Sequence, residues 1–525
     1  MHRIKYFILA MCLLAVVDAT AQKNILFIAV DDLKPDLGCY GNELVLSPNI
    51  DKLANKGTLF TAAYCQQAVC GPSRASILTG LRPDRTQVWD LKTKLRNNLP
   101  DVVSLPQYFK ANGYETIGMG KVFDPSSVDQ KLDGPSWSQP FQKTFPLATG
   151  YEDIVYGIYQ NPKIKAEAQA AGNNGKDEGS FFGPNAAKGI SRLSTENLDV
   201  PDDAYMDGAM ALEAIKKLKQ LGQNDKPFFM ALGFKKPHLP FVAPKKYWDL
   251  YARDEMPLAS FQEIAENSPE YAYHNAGELR SYRSDIKSLD ADSKLLLLSE
   301  EKQKELIHGY YACVSYVDAQ IGMVIEALQK EGLDKNTVIV LWGDHGWHLG
   351  DHSLWCKHSN FEQAARVPFI IYDPSQPVNS QYDFPVELID IYPTLCELAG
   401  LPVNSNLDGQ SLVPALKDPA IPIKEFAISQ YPRDTKNGAK DIMGYSLRDG
   451  RYRFTEWTQG HFETSQAFTP EHIKDLELYD LVNDPLETKN IAASPEMAEV
   501  VKDLSNKLHA FYQKQYLKIN SKVGG

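Results

Sequence analysis

Four short, almost wholly apolar runs limit the folds open to this chain of 525 residues. An apolar run without polar alternation is typical of a strand buried on both faces, as the strands of a parallel sheet are. Segments with helical periodicity separate the runs, and this alternation predicts an α/β fold, a mostly parallel sheet sandwiched by helices. The predicted strands are residues 23–30, 227–234, 337–342 and 367–372, and the predicted helices are residues 47–57, 102–112, 203–221 and 300–330.

Carboxylates follow two of these predicted strands. Asp31 and Asp32 come directly after the first strand, and Asp344 follows the third, with His345 next to it. Since ligands of open α/β sheets bind at the carboxyl ends of the strands, we expect these residues to share one site. Adjacent carboxylates repel each other unless a cation lies between them, and carboxylate oxygens are the ligands that Ca²⁺ prefers. The sequence therefore predicts a site for one divalent cation.

The character of the sequence changes near residue 420. Residues 426–430, 444–448 and 451–456 predict short antiparallel strands, and residues 495–516 predict a terminal helix. We expect a catalytic domain over residues 22–420 and a smaller C-terminal α+β subdomain, with a short antiparallel sheet, over residues 421–525. Residues 125–200 and 251–295 are rich in loops, which indicates insertions around the site.

The first residues have the pattern of an export signal. A basic start precedes the apolar run 6–17, and Ala19-Thr20-Ala21 is an A-x-A cleavage site. The run is too short to span a bilayer comfortably, and no later stretch is long and apolar enough. We expect residues 1–21 to be a signal peptide and the mature protein to be periplasmic or secreted, without stable membrane insertion. An uncleaved anchor is the alternative.

Charge and cysteine content exclude some classes of protein. The net charge of −12 disfavours binding to nucleic acid, so an anionic substrate needs a local basic pocket. Seven cysteines, one of them in the predicted signal peptide, are too few for a disulfide framework in a chain of this length.

The most specific chemical signal is Cys-Gly-Pro-Ser-Arg at residues 70–74. The residues that follow predict a helix that begins at residue 70. The free backbone N–H groups and the dipole at a helix N-terminus favour an anion such as sulfate. Arg74, one turn into the helix, is placed to point back to that end.

This motif resembles the C-x-P-S-R signature of the sulfatase family. Further motifs follow in the order of that family: Asp31-Asp32 after the first strand, Gly120-Lys121, Lys236-Pro237-His238, and Gly343-Asp344-His345-Gly346. Within the family, six segments are most similar to the iduronate-2-sulfatase subfamily, and they extend over the whole predicted catalytic region. The segments are residues 68–73, 79–84, 120–123, 236–241, 344–349 and 357–361. The resemblance implies an alkaline-phosphatase-like fold.

The resemblance also implies a modified nucleophile. A formylglycine-generating or anaerobic sulfatase-maturing enzyme would oxidise Cys70 to formylglycine, whose hydrate has two hydroxyls on one carbon. One hydroxyl attacks sulfur and forms a covalent sulfate ester. Deprotonation of the other hydroxyl then expels sulfate, a step that an unmodified Ser or Cys cannot perform.

The residues around Cys70 have implied roles by the same resemblance. Arg74 orients and neutralises the hydrate, Lys121 and Lys357 pair with sulfate oxygens, and His238 protonates the departing sugar oxygen. The metal is predicted to be Ca²⁺, although an imidazole ligand leaves Mg²⁺ or Mn²⁺ open. The implied metal ligands are Asp31, Asp32, Cys70, Asp344 and His345.

The sequence departs from the family pattern near Lys121. Many sulfatases have a histidine close behind this lysine, whereas here the nearby polar residue is Asp124. Asp124 is either the base for the elimination step or a capping carboxylate, and its context favours the cap.

Four residues are candidates for contact with the sugar. Lys92, Lys94 and Arg96 form a basic cluster that either grips a uronate carboxylate or is a solvated run of charge. Trp347 either packs on the sugar face or forms a wall of the site.

Together these features predict a sulfatase that acts on a sulfated glycan, and specifically an exo-acting 2-O-sulfatase on hexuronate of glycosaminoglycan-derived oligosaccharides. A sulfatase for another polysaccharide, algal or mucin, is an open alternative. A phosphatase or phosphodiesterase of the same superfamily would use Ser or Thr with two Zn²⁺, which the Cys70 motif disfavours. A glycan-binding protein without activity is the last alternative. The presence of Lys121, His238 and Lys357 together disfavours it, because a binding protein needs no acid at the leaving group.

Overall fold

A computed structural model describes residues 22–172, 189–376, 379–434, 440–460 and 467–520. The predicted signal peptide, residues 1–21, lies outside the described residues. In the described part of the chain, no helix combines the length and the apolar character that a membrane crossing requires. The six cysteines of this part are free thiols.

The predicted α/β sheet is confirmed. Its seven strands are β1 (Asn24–Val30), β2 (Thr58–Phe60), β3 (Glu115–Gly120), β4 (Phe228–Phe234), β5 (Thr337–Gly343), β6 (Phe369–Tyr372) and β7 (Ser380–Tyr382). They lie in the order β7-β2-β6-β5-β1-β4-β3. Strand β1 lies between β5 and β4 and runs parallel to both, so the carboxyl ends of these three strands meet at one edge.

Strand β6 runs antiparallel to its neighbours β5 and β2, unlike the other described strands of this sheet. A parallel return would need a long crossover, usually through a helix that packs on the sheet. The chain between β5 and β6 instead turns back at the carboxyl edge, where the Gly343 N–H donates to the Pro368 carbonyl at 3.0 Å. The segment 344–368 therefore stays beside the site.

Helices cover both faces of the sheet. Alternate residues of β1 face opposite ways, as expected for a strand. Leu26, Ile28 and Val30 belong to the core under α5 and α7, and Ile25, Phe27 and Ala29 to the core under α2, α3 and α8. The helices that matter below are α1 (Pro48–Ala54), α2 (Cys70–Thr79), α3 (Leu105–Ala111), α4 (Pro162–Ala170), α5 (Met206–Leu221), α6 (Gly277–Arg280), α7 (Glu300–Lys330), α8 (Ile391–Leu398) and α9 (Ala498–Asn520).

The C-terminal part contains the predicted antiparallel sheet, with α9 packed on it through Leu508 and Tyr512. Three of its strands were predicted, but β11 was not, because charged residues interrupt the apolar pattern of IKDLELYD in both halves. We propose that the subdomain boundary lies near residue 420, between the helix Val413–Lys417 and the first strand. The strands are β8 (Ala427–Asp434), β9 (Lys440–Arg448), β10 (Tyr452–Gln459) and β11 (Ile473–Asp480).

Candidate active site

The ends of β1 and β5 bring three carboxylates together. Asp31, Asp32 and Asp344 are fully buried, and the Asp32 N–H donates to Asp344 Oδ1 at 3.0 Å. Asp32 has φ 60°, a left-handed conformation that is rare outside glycine and typical of functional sites. The structure therefore brings these three carboxylates together at one edge of the sheet, where the sequence predicted them.

Residue 70 lies against this carboxylate cluster. It is the first residue of α2, and the Ser73 hydroxyl donates to the Asp344 carbonyl at 2.5 Å, which fixes the helix start at the sheet edge. Cys70 Sγ lies 3.3 Å from His345 Nε2. A Cβ at Gly71 would lie 3.1 Å from the Asp90 carbonyl oxygen, so the chain approaches closely at this point.

Arg74 bridges two of the carboxylates. Its Nε donates to Asp344 Oδ2 at 2.8 Å and its Nη2 to Asp31 Oδ1 at 3.0 Å. Its Nη1 donates to the Val122 carbonyl at 3.0 Å. The guanidinium is completely buried, so it offsets negative charge inside the protein and holds the ends of β1 and β5 in place.

Two lysines flank the same cluster. Lys121 Nζ lies 2.6 Å from Asp31 Oδ2, and Lys357 Nζ lies 2.9 and 3.1 Å from the two oxygens of Asp32. Burial works to lower the pKa of each lysine, but the neighbouring carboxylates outweigh it and hold both pKa values well above the usual range. Both ammonium groups are therefore charged at any physiological pH.

The donor atoms at this edge fit a divalent cation. Those of Asp31, Cys70, Asp344 and His345 lie within 4.8 Å of one another, as do those of Asp31, Asp32, Cys70 and His238. Burial, with the charges of neighbouring carboxylates, outweighs Lys357 and raises the pKa of Asp32 well above its usual range. A buried carboxylate in that state is what an added cation would stabilise.

His345 has the orientation of a metal ligand. Its Nδ1–H donates to the Gly346 carbonyl at 3.0 Å, since a carbonyl only accepts. This leaves the Nε2 lone pair directed at the cluster, 3.3 Å from Asp32 Oδ1. An outer hydrogen bond of this kind fixes the tautomer in many metal sites.

His238 lies beside the carboxylate cluster, with its Nε2 3.9 Å from Asp32 Oδ2. Its Nδ1–H donates to the Leu239 carbonyl at 2.6 Å, so Nε2 is the atom that faces the site. Burial, together with the charges of Lys357 and Lys121, holds the pKa of His238 well below its usual range. An anion bound between the two lysines would raise the pKa of His238.

Sequence reasoning missed Glu278, which the structure places in the site. It belongs to α6, within the predicted insertion 251–295, and its Oε1 lies 3.1 Å from Lys357 Nζ and 3.3 Å from His238 Nε2. No motif surrounds Glu278 in the sequence. The one available signal was the prediction that this insertion lies around the site.

Asp124 has the contacts of a capping carboxylate. Its Oδ1 accepts from the Ser126 N–H at 2.8 Å, and its Oδ2 lies 3.4 Å from Lys121 Nζ. Although burial alone would raise the pKa of Asp124, Lys121 and the Ser126 hydrogen bonds lower it. A carboxylate stabilised in this way is a weak base.

The three basic residues predicted as a cluster have different surroundings in the structure. Lys92 is exposed, and Lys94 Nζ donates to the Pro125 carbonyl at 2.9 Å, near the segment that follows Lys121. Arg96 is directed into its own loop, with Nη2 2.8 Å from Gln107 Oε1 and 3.0 Å from Asp133 Oδ2.

Trp347 lies in the wall of the site. It is 1% exposed, Lys357 Nζ lies 4.9 Å from its ring centroid, and Tyr310 stacks at 6.5 Å.

The family is shown by comparison with known proteins. The sulfatase family model matches residues 23–401, and a model described as the C-terminal part of N-sulphoglucosamine sulphohydrolase matches residues 350–514. The chain therefore belongs to the sulfatase family and is a sulfuric ester hydrolase.

A curated relative supports the family assignment, and two solved structures share the fold of this chain. Iduronate 2-sulfatase of Mus musculus is 35% identical over 90% of this chain and 91% of its own length. The phosphonate monoester hydrolase of Agrobacterium radiobacter is 24% identical over 94% of this chain and 96% of its own, with a TM-score of 0.68. A protein described as a 2-O GAG sulfatase is 21% identical over 95% and 94%, with a TM-score of 0.63. The two structural matches establish the fold, which confirms the predicted alkaline-phosphatase-like architecture.

Proposed function

We propose that this sulfatase is an exo-acting enzyme that removes a 2-O-sulfate from hexuronate at the end of glycosaminoglycan-derived oligosaccharides. The observation that carries the reaction is the placement of residue 70, at the start of α2, within 4.8 Å of the His238 donor atom and beside the two carboxylates that Lys121 and Lys357 contact. The similarity to iduronate 2-sulfatase over nine-tenths of both chains supports the sugar and the position. We also propose export, on the pattern of residues 1–21.

Two groups would complete the site. A divalent cation held by Asp31, Asp32, Asp344, His345 and residue 70 would stabilise negative charge on an oxygen of residue 70. Three carboxylates favour Ca²⁺, and the imidazole is compatible with Mg²⁺ or Mn²⁺. Formylglycine at residue 70, made by a maturing enzyme, would supply two hydroxyls as its hydrate. One would accept the sulfuryl group, and deprotonation of the other would expel sulfate as the aldehyde re-forms.

The protein's own groups bind and orient the ester. Lys121 and Lys357 hold two of the outer sulfate oxygens, and the N–H groups at the start of α2 face the same anion. These groups are fixed before the substrate arrives, because Arg74 and the carboxylates lock the lysines in place. They therefore favour the charge that develops in the transition state without reorganising.

His238 is the proposed acid for the leaving group. Its Nδ1–H is held by Leu239, so the proton on Nε2 passes to the sugar oxygen as the S–O bond breaks, and a neutral imidazole remains. The negative charge of the bound ester favours the protonated imidazole that this step needs. Lys92 and Lys94, beside the segment that contacts Gly71, are the proposed partners of the uronate carboxylate.

A panel of defined sulfated mono- and disaccharides tests the substrate. We expect sulfate release to be fastest from a non-reducing-end hexuronate 2-O-sulfate, and slow from internal 2-O-sulfates and from 6-O- or N-sulfated glucosamine. Preference for a sulfated galactan or mucin sugar would replace the glycosaminoglycan assignment with the algal or mucin alternative. Cys70→Ala serves as the blank for each sugar.

A further inference from the structure

Glu278 lies between three basic side chains of the site. Its Oε1 contacts Lys357 Nζ at 3.1 Å and His238 Nε2 at 3.3 Å, and its Oε2 contacts His358 Nε2 at 3.3 Å. His358 is in turn held by Tyr431 of β8, with 2.8 Å between Nδ1 and the phenol oxygen. Both carboxylate oxygens therefore have fixed partners, and one of them faces the proposed acid.

The backbone around Glu278 is held in unusual conformations. Ala276, two residues before it, has φ 51°, and Cys356 and His358, on either side of Lys357, have φ 77° and 72°. Left-handed conformations are unfavourable for residues with a Cβ, and they persist where the surrounding contacts determine them. Such residues cluster at functional sites, and here they fix both ends of the Glu278–Lys357 contact.

The ring of His238 needs a second support. The Leu239 carbonyl holds Nδ1, but that bond alone leaves the ring free to tilt about it. The nearest carboxylate to Nε2 is Glu278 at 3.3 Å, and Asp32 lies farther away at 3.9 Å. Glu278 Oε1 lies at an ion-pair distance from Nε2 and is not paired with it as a hydrogen-bond acceptor. The N–H of a protonated Nε2 therefore stays available to an incoming oxygen.

We infer that Glu278 is the positioning residue of the leaving-group acid: anchored by Lys357 and His358, its carboxylate fixes the ring of His238 so that Nε2 faces the departing sugar oxygen. This inference rests on the proposed role of His238. Glu278 itself exchanges no proton with the substrate. Its contribution is therefore confined to esters whose leaving group needs an acid.

The test compares two substrates in the matured enzyme. One is the sugar sulfate that the wild type hydrolyses best, and the other is an aryl sulfate whose phenolate leaves without an acid. For Glu278→Gln we expect kcat on the sugar sulfate to fall about 10- to 100-fold, within the range of acid catalysis. On the aryl sulfate we expect a change of no more than about threefold, because the lysines still bind sulfate.

A double-mutant comparison sharpens the result. If Glu278 acts through His238, then Glu278→Gln in a His238→Ala background lowers kcat on the sugar sulfate no further. Glu278→Asp keeps the charge but withdraws the carboxylate by one methylene, and it should show the same selective loss. That variant serves if Glu278→Gln folds poorly. Glu270→Gln, an exposed glutamate of the same insertion, is the control and should match the wild type.

Equal losses of kcat on both substrates, additive effects in the double variant, or no loss at all would each overturn the inference. The outcome is separate from that of the proposed function, because the comparison uses whichever sugar sulfate the wild type prefers. A wild type that prefers another sulfated sugar overturns the 2-O-hexuronate assignment and leaves the Glu278 test intact.

Discussion

Residue 70 has surroundings that make an unmodified cysteine a poor nucleophile. Burial first, and the charge of Asp31 second, raise the pKa of the Cys70 thiol well above its usual value despite the nearby lysines. A thiol that stays protonated attacks weakly. The raised pKa therefore supports the proposal that residue 70 acts in a modified form and not as a thiol.

Replacement of residue 70 tests this interpretation. We expect Cys70→Ala and Cys70→Ser to lower kcat by at least about 10³-fold, since the side chain that accepts the sulfuryl group is lost. The melting temperature should change little, because the two side chains are similar in size to cysteine. Wild-type turnover by either variant would reject the mechanism.

His238 is tested by its dependence on the leaving group. We expect His238→Ala to lower kcat on a sugar sulfate by about 10²- to 10⁴-fold, the usual contribution of a general acid. An aryl sulfate should be affected much less, because its phenolate needs no proton. Equal losses of kcat on both substrates would remove His238 as the acid.

At the scale of helices and strands, Glu362 joins the two parts of the chain. It lies at the start of the short helix Glu362–Ala365 and pairs with Arg453 of β10 and, at 3.4 Å, with Arg448 of β9. Burial alone would raise the pKa of Glu362, but Arg448 and Arg453 outweigh it and lower this pKa from 4.5 to about 2.

This contact predicts a pH dependence of stability. The folded-state pKa lies below the unfolded value, so the contribution of Glu362 is complete above pH 4.5 and is lost as pH falls towards 2. The shift corresponds to about 3 kcal/mol of unfolding free energy. We expect Glu362→Gln to flatten the fall in melting temperature over that range, whereas Glu499→Gln, an exposed control, keeps the wild-type profile. Parallel profiles for all three proteins would contradict the assignment.

The sequence predicts buried, continuous elements best. The helix Glu300–Lys330 agrees with its predicted bounds, and β1 and β4 agree to within one residue. Strand β3 was missed because glycines interrupt its apolar run, ETIGMG. The direction of β6 was not predictable, since it depends on where the preceding segment lies in space.

The residues of the site also differ in how far the sequence predicts them. Asp31, Asp32 and Asp344 stand at the ends of predicted parallel strands, so the sheet predicts that they meet, whereas the place of Cys70 beside them was implied by the family resemblance. Glu278 is an isolated acid in an insertion, and its contacts with Lys357 and His238 exist only in the folded chain. Long-range contacts of that kind leave no pattern in a single sequence.

At the scale of the whole molecule, the predicted metal should increase the free energy of unfolding. A cation that binds the folded chain alone stabilises it by about 2.7 kcal/mol at a concentration of 100 Kd. We expect Ca²⁺ to raise the melting temperature of protein freed of metal by a chelator, and Mg²⁺ or Mn²⁺ to raise it less. Asp344→Asn should abolish the effect, while Asp225→Asn, on the surface, should not. A melting temperature unaffected by any of these ions would remove the metal from the site.

We propose that oxidised residue 70 performs the reaction. Protein produced with varied amounts of a maturing enzyme would differ in the fraction of residue 70 that is formylglycine, and peptide mass spectrometry measures that fraction. We predict that sulfate release per molecule rises in proportion to it and extrapolates to zero for the pure thiol. Full activity in protein that carries only cysteine at position 70 would contradict the account.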